Sequence, residues 1–155
     1  MSHQIDAVDA HLLSLLQDNA RTTATDLAEA VGVSDNTVHN RMGRLEDAGV
    51  IERYTTVVDP RQAGLQFYYH FTCTTPISDR SEVAEQIISY PEVVGVTELM
   101  TGQENLHVKL VGRTDQDITR MAQELDDLNL EITDENLIRA EHGNPIDLGQ
   151  IGQEH

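Results

Sequence analysis

The sequence predicts an α+β chain in two parts: three helices, then strands and helices in the order βαββαβ. Three observations carry this. Apolar residues recur at helical spacing up to about residue 47. Beyond Gly64 the spacing changes to alternating runs broken by two further helical stretches. Ser, Thr and Asp stand where helices begin, and Gly or Asp-Pro where segments end.

Residues 6–18 carry Val8, Leu12, Leu13, Leu15 and Leu16 at helical spacing, with Asp6 available to cap. Thr23-Ala24-Thr25-Asp26 is a capping-box signature that launches a short helix with Leu27, Ala28 and Val31 inward. Gly32-Val33-Ser34 is a tight turn. A third helix then runs from Ser34, a good N-cap, to Gly49, a good C′ residue. It hides Val38, Met42 and Leu45 at i, i+4 and i+7. Its other face shows Asn36, Thr37, Asn40, Arg41 and Arg44, whose amides, hydroxyl and guanidiniums suit base edges and phosphates. That face lacks the Lys/Glu ladder of a merely solvated helix. His39 sits mid-helix, as a DNA contact or a solvated side chain. Helix, short turn, helix is the DNA-reading arrangement. The expected DNA-binding residues are therefore Ser34, Asn36, Thr37, His39, Asn40, Arg41 and Arg44. Arg41 has a second reading, a salt bridge tying the helix to its neighbours. Ile51 to Val58 alternates or runs β-branched before Asp59-Pro60, which predicts a short wing or connecting strand. Arg53 and Tyr54 would sit where such a wing touches the DNA backbone.

In the second part, Phe67, Tyr69, Phe71 and Cys73 alternate with Tyr68, His70, Thr72 and Thr74, a strand with apolar or aromatic groups on both faces. Asp79 to Ser89 reads as a helix with Val83, Ala84, Ile87 and Ile88 inward, stopped before Pro91. Val93 to Met100 is a strand and Thr101-Gly102-Gln103-Glu104 a turn. Leu106, Val108 and Leu110 line one face of the next strand. Thr114-Asp115-Gln116-Asp117 caps a helix carrying Ile118, Met121, Ala122 and Leu125, and a last strand runs near Ile132 to Ala140. This order is the ferredoxin-like pattern. The expected domains are residues 1–60, a helix-turn-helix unit with connecting strand; 61–143, ferredoxin-like; and 144–155, an irregular tail.

Charge argues against DNA binding at first sight. The net charge is −17, from 27 acidic and 10 basic residues, and Lys109 is the sole lysine. Even the residues before Pro60 hold 10 acids against 4 arginines. A host with molar intracellular salt resolves the conflict, because at ~1 M the Debye length falls to about 3 Å and acidic surface barely repels phosphate. A halophilic archaeal source is the expectation. No apolar run approaches the ~20 residues of a membrane span, and no signal peptide opens the chain, so a soluble cytoplasmic protein without a membrane partner is expected. The single cysteine excludes an internal disulfide and a thiolate pair for a metal.

A helix-turn-helix followed by βαββαβ resembles the leucine-responsive regulatory protein/asparagine-synthase regulator (Lrp/AsnC) family of bacteria and archaea. The resemblance rests on Ile5-Asp6-x-Val8-Asp9-x-x-Leu12-Leu13, Asp18-x-x-Arg21 and Asp26-Leu27-Ala28-x-x-Val31-Gly32-Val33-Ser34. It continues in Val38-x-x-Arg41-x-x-x-Leu45-Glu46-x-x-Gly49-Val50-Ile51, Val58-Asp59-Pro60, Pro91-Glu92-Val93 and Thr101-Gly102. The resemblance implies a transcription regulator on double-stranded DNA that forms homodimers and often octamers, with an amino-acid effector in many members. The implied effector residues are Met100, Thr101, Gly102, Gln103 and Asn105. Asn105 stands where the family commonly has an acid, which would suit an α-ammonium group. The hairpin also fits a turn that needs Gly102 only for positive φ.

Two other classes compete with this reading. A siroheme decarboxylase-like enzyme on the same fold would need a cationic site for a many-carboxylate substrate. The C-terminal part offers Arg61, Arg80, Lys109, Arg113, Arg120 and Arg139 amid 17 acids, with His70 and His107 on strands. A metal sensor would need histidines from two subunits, such as His70, His107 or His142, and no ligand spacing supports it. No catalytic, metal or cofactor-binding residues are expected.

Overall fold

The computed structural model describes residues 4–151. They fall into two compact units, one running to Val57 and resuming at His142, the other Val58–Glu141.

In the first unit, α1 (Ala7–Asp18) starts at Asp6, whose carboxylate accepts from the Asp9 N–H at 2.8 Å while Asp9 accepts from the Asp6 N–H. That reciprocal capping satisfies two of the helix's orphan donors. Thr23 caps α2 (Ala24–Val31) by accepting from the Asp26 N–H, and Gly32 ends it at φ 80°, where a side chain would be strained. Ser34 caps α3 (Asp35–Asp47), accepting from the Thr37 N–H at 3.2 Å. Leu12, Leu16, Leu27, Ala28 and Val38 form the core, with Met42 and Ile51 packed against it. Leu45 is fully buried as well. The tail joins this unit: the Gln17 Nε2 donates to the Ile146 carbonyl at 3.0 Å, and the Ile146 N–H donates back to Gln17 Oε1 at 2.9 Å. No helix or strand is formed after Leu137 among the described residues.

In the second unit, β1 (Phe67–Thr74) leads through a 3-10 turn (Ile77–Asp79) to α4 (Arg80–Ile87). Then come β2 (Val93–Glu98), β3 (Leu106–Gly112), α5 (Asp115–Asp127) and β4 (Glu131–Leu137). The sheet order is β2-β3-β1-β4 with antiparallel neighbours, the ferredoxin-like arrangement. Phe71 pairs with Val108 and Cys73 with Leu106, so these side chains share one face. They pack there with Val83, Ala84 and Ile87 of α4 and Ile118, Met121 and Leu125 of α5. The same register sets His70 opposite Lys109 and Thr72 opposite His107 on the face away from the helices.

Several expectations are corrected. Ile51 to Val58 forms no strand: no described segment pairs with it, and Val57 and Val58 are exposed. A β-branched run without a ladder partner has no reason to hold strand geometry. Ile88 is not inward, because α4 stops at Ile87 and Ile88 becomes its half-exposed cap. β2 ends at Glu98, two residues before Met100, and β4 ends at Leu137 rather than Ala140. Gly102 does not supply the left-handed turn residue; Glu104 does, at φ 50°. Among the described residues no helix is long and apolar enough to cross a membrane.

Candidate nucleic-acid interface and hairpin site

Burial of Val38 and Leu45 fixes the rotation of α3, so the opposite side must face outward. Asn36, His39, Asn40 and Arg44 lie exposed there. Among the described residues their side chains make no hydrogen bond or ion pair, which leaves amide, imidazole and guanidinium groups free for an external partner. Ser34 and Thr37 are differently placed. The Ser34 hydroxyl serves the cap and stands 2.9 Å from the Thr37 hydroxyl, so both line the helix N-terminus.

Arg41 sits on the flank of α3, and its guanidinium turns inward to α1. It donates to Asp6 and, at 3.3 Å, to the buried Asp9. The Asp6 bond, then that to Asp9, raises the Arg41 pKa. Arg41 in turn holds the Asp6 carboxyl below its ordinary range, aided by the Asp9 backbone N–H. Of the two readings open for Arg41, the salt bridge is the one its geometry realises. Tyr54 is likewise occupied: its hydroxyl donates to Glu46 at 2.7 Å. Burial and that carboxylate push its pKa up to about 12. Arg53 is exposed, 3.9 Å from an equally exposed Glu52, a loose pair that solvent screens.

The β2–β3 hairpin separates its expected residues. Met100, Thr101, Gly102 and Gln103 are exposed, whereas Asn105 is fully buried. The Asn105 Oδ1 accepts from the Thr75 N–H at 3.0 Å, and its Nδ2 donates to the Thr75 carbonyl at 2.9 Å. Asn105 thus pins the end of β1 to the hairpin. An acid could not donate the second bond, which is the physical reason an amide suits this position. Sequence reasoning missed the surrounding groups. Thr74 accepts from the Glu104 N–H, and Arg80 donates to the Leu99 carbonyl at 2.6 Å. The Thr75 hydroxyl is buried with no hydrogen-bond partner. The Thr-Thr-Pro sequence closing β1 was the available signal.

His70 and His107, the strand histidines, meet each other, with His107 Nδ1 3.1 Å from His70 Nε2. The His107 Nε2 lies 3.2 Å from the Glu104 carbonyl, which only accepts, so His107 donates from Nε2 and its Nδ1 accepts from His70. Burial, then the charges of His107 and Lys109, lower the His70 pKa. No group of three His, Cys, Asp or Glu residues suited to a metal occurs among the described residues. Cys73 is buried, and burial pushes its thiol up to about 12, far from a reactive thiolate.

The family described as winged helix-turn-helix DNA-binding matches residues 5–52. The chain is 28% identical over 114 residues to the HTH-type transcriptional regulator FL11 of Pyrococcus furiosus, covering 74% of this chain and 75% of that one. It is 33% identical over 92 residues to the HTH-type transcriptional regulator LrpB of Bacillus subtilis, covering 53% of this chain and 62% of that one. Its fold is similar to that of a Neisseria meningitidis transcriptional regulator solved as an L-Met complex, with TM-score 0.75 and 21% identity over 92% of this chain and 96% of that one.

Outward-facing α3, the matched helix-turn-helix and the regulator relatives together define a DNA-binding transcriptional regulator. A ferredoxin-like unit follows that domain in the sequence, and the chain is similar to the regulator LrpB over the residues matched. The relatives named here are regulators, and the decarboxylase alternative finds no support among them.

Proposed function

We propose that two copies of α3, about a dimer axis, read a pseudo-palindromic operator with half-sites one or two helical turns apart. Asn36, His39, Asn40 and Arg44 make the groove contacts, Ser34 and Thr37 present the helix N-terminus to phosphate, and Arg53 reaches the DNA backbone. Arg41 and Tyr54 hold the unit together. The observation that carries this reading is the contrast within one helix: the inward and flanking polar groups are engaged, while four outward ones have no internal partner. Higher assembly, as in an octamer, and a cytoplasmic, salt-rich setting complete the reading.

An amino-acid effector acts at the β2–β3 hairpin, changing the arrangement of subunits and so the spacing of the two reading helices. The L-Met complex of the neisserial neighbour supports the ligand class. The buried Thr75 hydroxyl supports the place, since an unsatisfied buried hydroxyl costs about 1–3 kcal/mol and gains by meeting a ligand. Met100, Thr101, Gly102 and Gln103 are the side accessible to it; Asn105 orders the turn. Footprinting on a duplex selected from a randomised pool, with Asn40→Ala and Arg44→Ala, tests the DNA face. Unchanged protection by both variants removes it.

A further inference from the structure

Gly43 lies midway along α3, at i+3 from Asn40 and i+7 from Asn36, on the outward side. Glycine is the poorest interior helix residue after proline, because it loses the most chain freedom on folding. At three other glycines the reason is visible. Gly32 and Gly49 hold φ of 80° and 75°, and a Cβ on Gly112 would lie 2.9 Å from the Asp117 Cβ. Gly43 has neither reason: its φ is not positive, and a Cβ there would meet nothing within 4 Å. The fold by itself favours alanine at this position, so the requirement comes from outside the chain.

Its neighbours indicate what that requirement is. Asn36 and Asn40 are short side chains, with the carboxamide one methylene from the backbone, so reaching a base edge requires the helix axis to sit deep in the groove. A helix that deep leaves little room for a side chain one turn further along the same side. This rests on the DNA-reading role of α3 proposed above. The geometry points to Gly43 as the residue that sets the depth of α3 in the major groove, its missing side chain letting the backbone close on DNA so that the Asn36 and Asn40 amides reach the bases.

The test uses the full chain and a duplex selected by the wild-type protein from a randomised pool. Affinity for that duplex and for a scrambled one is measured for Gly43→Ala, Gly43→Leu and Asn40→Ala, with thermal unfolding of each. Both Gly43 variants are expected to unfold about 2–4 °C higher, because each improves the helix. Gly43→Ala is expected to bind the selected duplex about threefold to tenfold more weakly, and Gly43→Leu at least about a hundredfold, with its preference over the scrambled duplex lost. A folded Gly43→Leu that binds within about threefold of wild type, while Asn40→Ala fails to bind, overturns the depth role and leaves the DNA face standing. A lowered unfolding midpoint for Gly43→Ala also overturns it, by placing the need for glycine inside the fold. If wild type selects no duplex, or Asn40→Ala binds normally, the DNA face falls and the depth role with it.

Discussion

Raising salt should weaken operator binding less steeply than is usual for a DNA-binding protein. Each phosphate neutralised by a cation contributes about −0.9 to the slope of log K against log salt. Before Pro60 the chain has no lysine and four arginines, and Arg41 is occupied by Asp6 and Asp9. Arg21, Arg44 and Arg53 remain, at most three phosphate contacts per copy and six in a dimer. The slope should therefore be no steeper than about −5, and fourfold more salt should cost at most about a thousandfold in affinity. Arg44→Gln should flatten it by about 1 for each copy engaged. Fluorescence anisotropy on the selected duplex across a salt series reads both quantities. A slope well beyond −6 would require cations that α3 and its surroundings do not offer. A slope insensitive to Arg44→Gln would take that guanidinium off the phosphates.

The remaining predictions concern the scaffold. Arg41→Gln should lower the thermal midpoint by releasing α3 from Asp6 and Asp9, yet leave the salt slope unchanged; a slope change matching that of Arg44→Gln would instead put Arg41 on DNA. His70 titrates near 6.5 when unfolded and lower in the fold, so between those values the unfolded chain holds the extra proton. Stability is then full above about pH 6.5 and declines as pH falls through that window. Urea midpoints at several pH values should show a shallower acid decline for His70→Gln, and identical declines would refute the assignment. Glu104→Gly should stabilise by up to about 1 kcal/mol, because Glu104 holds φ 50°, a region costly to residues with a Cβ. Chemical denaturation measures it, and a loss of stability would show that the Glu104 side chain contributes more than the turn strain removes.

The helical unit was legible because its signals are local. Asp6, Thr23 and Ser34 cap as read, and the Val38/Leu45 spacing fixes which side of α3 faces out. The strand order of the second unit followed from alternation and from Thr114 capping α5. What escaped depends on partners distant in sequence. Arg41 stands where helical spacing allows either face, and only the position of α1 directs it to Asp9, 32 residues away. The strand reading of Ile51 to Val58 failed for want of a neighbouring strand, which no residue preference reveals. Asn105 stands among the effector residues only by what the resemblance implies, and the end of β1 occupies both ends of its amide.

The pair of bonds between Gln17 and Ile146 makes the helical unit the last part of the protein to be finished. A ribosome releases Ala7–Asp18 early, yet the residue that α1 clasps is 129 positions further on. During synthesis the first three helices have to persist without that clasp while the sheet unit emerges and folds behind them. A stop codon just ahead of Ile146 would therefore damage the beginning of the protein.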